Sequence, residues 1–131
     1  MPYHFIGYSK NELEEMLKAS EDDFKSYERN KNVSKLRDAV NKLYAIAQNI
    51  TSNKIKHGIE NYGEFRSNFL KEFKDHDLIS SLGILHRFFY TGLGYEQSVK
   101  DIEYEYHEAK KKIKTMIKKN SAYKLKKAVY A

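Results

Sequence analysis

The pair His86-Arg87 stands near the end of an apolar run that continues Phe88-Phe89-Tyr90-Thr91-Gly92-Leu93-Gly94. An imidazole changes charge near neutral pH and can carry protons. A guanidinium emerging from an apolar helix requires a carboxylate, a carbonyl or a phosphate. On a helix, neighbouring residues point about 100° apart. The pair is therefore expected to diverge, one member facing the core edge and the other solvent or a subunit partner. Two readings follow for Arg87: an ion pair with an acid of the first or last helix, or a place in a site.

A second concentration of charge is the run Lys110, Lys111, Lys112, Lys114, Lys118 and Lys119. No acid follows Glu108, so acids one turn further along the same helix cannot offset these cations. Lysines near a helix C-terminus oppose its negative dipole end. A localised cluster also attracts polyanions, with RNA or DNA phosphates as the expected ligand.

Other chemistries find little support. The five histidines (His4, His57, His76, His86 and His107) never stand three or four apart, and there is no cysteine, so no metal site or cofactor is expected. Gly92-Leu93-Gly94 lacks the third glycine of a dinucleotide cradle and the lysine of a phosphate loop, and it reads as a helix cap and turn. Ser80-Ser81 sits inside a helical pattern, where serine bonds to its own backbone.

The elements that must position these residues read as helices. The sole proline is Pro2, and apolar residues recur at three- and four-residue steps. The first helix is expected from Ser9 to Arg29. Ser9 and Glu12 form a capping box, and Leu13, Met16, Leu17, Phe24 and Tyr27 form its stripe. A second begins at Ser34, carries Leu36, Ala39, Val40, Leu43, Tyr44, Ala47 and Ile50, and ends at His57-Gly58 with glycine in the left-handed conformation. A third runs from Tyr62 or Gly63 to Lys74. The fourth, capped by Asp75 or Asp77, is apolar almost all round and is expected to be the most buried, with Gly83 marking a close helix crossing. The last runs from Glu96 to Lys119 with a seam of Val99, Ile102, Tyr106, Ala109, Ile113 and Met116. Short connections imply antiparallel neighbours and hence an all-α, up-and-down bundle of four or five helices in one domain, 1–131.

The 131 residues suffice for one core. Net charge is +6, but the first 108 residues carry fifteen basic and eighteen acidic side chains, while Ala109–Ala131 holds nine lysines and no acid. Positive character thus belongs to the C-terminal segment, including a basic tail at about 120–131. No stretch approaches the ~18 apolar residues of a membrane span, and the N-terminus lacks a signal-peptide pattern, so a cytoplasmic protein without membrane partners is expected. Abundant Lys, Glu, Ile and Tyr hint at a thermophile.

Three segments resemble the HEPN superfamily of small helical bundles: KLRDAVNKLYAIAQNITSNKIKHG, ISSLGILHRFFYTG and YEQSVKDIEYEYHEAKKKIKTMI. The likeness spans Ser9 to Lys119. It implies a bundle that is often dimeric. In many members an arginine motif at the dimer interface forms a metal-independent RNase site, and others pair with a nucleotidyltransferase as toxin and antitoxin. Arg87 matches the motif arginine. The motif histidine belongs at 92, 93 or 94, where this chain has Gly92, Leu93 and Gly94. Removing a ribose 2′-hydroxyl proton needs a group such as histidine. The expectation is therefore a homodimeric, non-catalytic binding or regulatory module, with a nucleotidyltransferase or nucleic acid as partner and Phe88, Phe89 and Tyr90 at the dimer interface. The enzymatic alternative is a divergent RNase using Arg87 and His86. A third reading is a purely structural interaction subunit.

Overall fold

The computed structural model describes residues 7–92 and 98–119. Five helices follow one another: α1 (Lys10–Asn30), α2 (Val33–Ile55), α3 (Tyr62–Phe73), α4 (His76–Thr91) and α5 (Val99–Lys119). There is no strand among the described residues. The chain is an all-α helical bundle. The expected start of the last helix at Glu96, the residues Leu93 and Gly94 of the turn, and the basic tail at about 120–131 lie outside the described residues.

Each of the first four helices starts on a side-chain cap. Ser9 accepts the Glu12 amide at 3.2 Å while its own amide donates to Glu12 Oε1 at 2.9 Å, completing the capping box. Asn32, not Ser34, caps α2 by accepting the Ser34 amide. Asn61 caps α3 and Asp75 caps α4. The C-terminal ends depart from expectation. Lys31, Lys56 and Lys74 take the left-handed conformation that closes α1, α2 and α3, with φ of 54°, 57° and 56°. Gly58 does not serve α2; Lys56 has already closed it, its amide donating to the Ser52 carbonyl at 2.7 Å.

Pairing across the bundle runs antiparallel. Asp23 and Met16 of α1 meet Lys42 and Asn49 of α2. Asp75 and Ser81, at the cap and along α4, meet Lys112 and Glu105 of α5. Glu21 and Tyr27 of α1 meet Lys110 and Glu103 of α5. The four long helices thus alternate up and down, and α3 is a short arm packed on α2 and α4. α2 packs against all four others and buries Leu36, Ala39, Val40, Leu43, Ile46, Ala47 and Ile50. It is the most enclosed helix. The expectation gave that place to α4, which instead turns Ser80, Arg87 and Tyr90 outward.

Two polar nodes are sealed inside. Ser20 and Tyr106 are both 0% exposed. Ser20 Oγ donates to the Ala39 carbonyl at 2.7 Å and lies 2.8 Å from the Tyr106 hydroxyl. A serine has one proton, so the phenol donates to Ser20, and a single relay ties α5 to α1 and α2. Asn53, 2% exposed at the end of α2, accepts the Tyr8 amide at 3.2 Å and donates to the Tyr8 carbonyl at 2.9 Å. Its amide pairs the extended lead into α1 as a neighbouring strand would.

Candidate functional site

Four rings from three helices gather where α2, α3 and the end of α4 meet. His86 stacks on Tyr62, with centroids 4.4 Å apart and planes 18° from parallel. Tyr44 of α2 approaches the imidazole edge-on at 5.1 Å, and Tyr90 lies 4.7 Å away, one helical turn along α4. Gly83 has a specific purpose. A Cβ there would stand 2.9 Å from the Tyr62 hydroxyl, so the glycine admits that ring rather than a helix crossing.

Burial dominates the electrostatics of the cluster. It pushes the Tyr44 phenol up to about 12, aided by Tyr62 and Tyr90. The Tyr62 phenol is also raised by burial, though the charges of Arg66 and Arg87 draw it partly back. Both guanidiniums therefore act on the same hydroxyl. Burial lowers the His86 imidazole below its ordinary value. Its Nδ1 is enclosed without a hydrogen-bond partner, the only such buried side-chain atom among the described residues.

Round this cluster the surface is cationic and aromatic. Tyr90 is 68% exposed. Arg66 and Arg87 are exposed, and neither forms an ion pair with the described residues. The expected pairing of Arg87 with an acid of the first or last helix is thus not made among the described residues; its charge acts on Tyr62 of α3. Arg37 of α2 is engaged instead. It donates to the Phe89 carbonyl at 2.7 Å and lies 5.6 Å from the Phe89 ring centroid, which satisfies one of the free carbonyls ending α4.

The expected interface patch is corrected in part. Phe88 is 0% exposed and belongs to the core, so it has no surface to offer a second protomer. Phe89 is half-buried under Arg37, which leaves Tyr90 as the open member. His86 and Arg87 do leave the helix in different directions, one half-buried and one exposed, yet His86 stacks on Tyr62 and the Arg87 charge acts on the hydroxyl of that ring. The i,i+4 pair Tyr62–Arg66 was the missed signal: with Arg87 and Tyr90 it places one ring and one cation a turn apart on each of two helices.

The lysine run is largely engaged. Lys110 and Lys114 both reach Glu21 of α1, at 3.4 and 3.3 Å. Lys112 binds Asp75 at 3.1 Å, and Lys111 binds Glu108 at 2.9 Å. Four of the six cations therefore meet carboxylates, three of them across the tertiary fold. Lys118 and Lys119 are exposed with no ion pair among the described residues.

No grouping of three metal-ligating side chains occurs among the described residues. No described helix is long and apolar enough to cross a membrane. Comparison with family models, with curated proteins and with solved structures returned no match.

Proposed function

We propose that the chain is a HEPN-like binding module that holds single-stranded nucleic acid on the α3–α4 face, without cleaving it. The observation that carries this reading is that Arg66 and Arg87, which form no ion pair among the described residues, both act on Tyr62 of the ring cluster that also holds the exposed Tyr90. Unstacked bases lie on aromatic rings, and arginine binds phosphate in a planar fork. The engagement of four C-terminal lysines by carboxylates favours this face over the lysine run as the principal contact. Duplexes, whose bases are stacked inside, present nothing for Tyr90 to cover.

The test is the binding of a short mixed-sequence RNA strand, measured by fluorescence anisotropy over a salt series. Affinity is expected to fall steeply with salt. Tyr90→Ala is expected to weaken it about tenfold, within the ~1–3 kcal/mol of a base–aromatic stack. Arg87→Ala weakens it and flattens the salt slope. If both variants bind as the wild type does while Lys118→Ala/Lys119→Ala abolishes binding, the face is wrong.

One observation favours the divergent RNase as a second reading: His86 stacks on Tyr62, and the Arg87 charge acts on the hydroxyl of the same ring. It requires that the same RNA be cut in EDTA by the wild type and left intact by Arg87→Ala. An uncut strand removes it.

A further inference from the structure

His86 sits in a box of three tyrosines. Tyr62 covers one face of the imidazole from α3, Tyr44 closes on it from α2, and Tyr90 closes on it from α4. Among the described residues no carboxylate pairs with the ring. Nδ1 is enclosed and unpartnered. The ionisable groups around it are Tyr44 from α2, Tyr62 and Arg66 from α3, and Tyr90 and Arg87 from α4. Among the described residues α2, α3 and α4 thus supply no carboxylate to the box, and the two formal charges near it are positive.

We infer that His86 is a proton-operated latch on α3. As a neutral ring it stacks on Tyr62 and holds the first turn of α3 against α4. A second proton would give the ring two N–H donors and a positive charge. One of those donors would then point into an enclosed space with nothing to receive it, and a buried unpaired charge is strongly unfavourable. The ring relieves this by leaving the box for water, and Tyr62 loses its platform. The part that gives way is α3, a short arm of 12 residues that buries only Phe65 and Phe69. Its approach to α4 depends on Tyr62 reaching over Gly83. The outcome is a local opening of one arm while the four long helices stay packed.

The sign follows from burial. The folded imidazole titrates below its unfolded value, so the unfolded or opened chain binds the proton more readily. The latch is fully closed above the ordinary imidazole pKa and loosens as pH falls through the folded one. This inference stands on the box alone and does not depend on the nucleic-acid reading, since its readout involves no ligand.

The experiment is a titration of the intact chain by NMR from about pH 8 to about pH 5, the range in which histidine changes charge. The His86 ring signals are followed together with amide exchange along α3, corrected for intrinsic rates. The ring is expected to titrate below a free imidazole. Between the free-imidazole value and that point α3 opening rises by up to about tenfold per pH unit, the slope of one linked proton, and then levels off, while α1 and α5 protection holds. His86→Phe keeps a ring in the box and makes α3 protection independent of pH. The latch is overturned if His86 titrates at or above the free imidazole value. It is equally overturned if α3 exchange does not follow the titration, or if His86→Phe keeps the same pH dependence. Should that variant not fold, the wild-type titration decides between the first two outcomes.

Discussion

Asn53→Asp will lose about 3 kcal/mol of stability at neutral pH, read as a lower denaturation midpoint with an unchanged slope. The substitution changes almost no volume. Its effect lies in the donor. Only one orientation of the Asn53 amide satisfies both Tyr8 groups, with Oδ1 toward the N–H and Nδ2 toward the carbonyl. A carboxylate can still accept the Tyr8 amide, but its second oxygen would face the Tyr8 carbonyl across a hydrogen-bond distance inside a site that is 2% exposed. Charge and repulsion are then both buried. Protonation repairs the pair, because an acid hydroxyl can donate where Nδ2 did. The folded pKa of the new acid is therefore raised above the unfolded one, and the variant gains stability relative to wild type as pH falls through that raised value. The wild type moves the other way. At Glu21, burial alone would raise the carboxyl, but Lys114 and Lys110 outweigh it and hold it low. At Asp75, the Leu78 amide and Lys112 outweigh burial in the same way. Those contributions are present above the ordinary carboxylate range and vanish as pH falls through the depressed values. A variant that stayed as stable as wild type at pH 7 would mean that the Tyr8 lead is not held by Asn53.

The second large effect is an asymmetry between two ends of one hydrogen bond. Ser20→Ala will cost about 2 kcal/mol and Tyr106→Phe about 1 kcal/mol, although serine is the smaller side chain. Losing the phenol leaves Ser20 with its Ala39 carbonyl, so nothing is stranded. Losing the serine strands a hydroxyl that is fully enclosed and whose proton burial already holds up to about 12. In the double variant no polar atom is orphaned, so its cost is less than the sum of the two. Equal costs, or the reverse order, would show that Ser20 donates to the phenol and not to Ala39.

Much of this architecture was legible in the chain. The Ser9–Glu12 box, the α2 stripe and the seam from Ile102 to Ile113 are local patterns, and each stands where its spacing put it. The apolar stripe of α1 leaves a gap at Ser20, whose residue type does not mark it as core. Its partners lie 19 and 86 residues away and leave no mark nearby. The carboxylates that meet Lys110, Lys112 and Lys114 come from α1 and the α4 cap, which a search along the helix for i,i+4 acids could not reach. Phe88 looked like part of a surface patch because it adjoins Phe89 and Tyr90. The 100° step of a helix instead sends it to the core and Tyr90 to water. The candidate site was half visible: His86 and Arg87 drew attention by type, whereas Tyr44 and Tyr62 join them only through the fold.

The three left-handed lysines that close α1, α2 and α3 bear on how far this fold is from its ceiling. An L-residue in that conformation sits about 1–2 kcal/mol above its right-handed alternative, and glycine escapes most of that strain. Lys31, Lys56 and Lys74 are all exposed, though the Lys31 ammonium lies over the Tyr27 ring, 5.7 Å from its centroid. Each sets a cation against the negative end of a helix. The chain thus holds two positions, Lys56 and Lys74, at which a glycine raises thermal tolerance without removing a core contact. The strain held at those two turns is reserve stability that a single substitution releases.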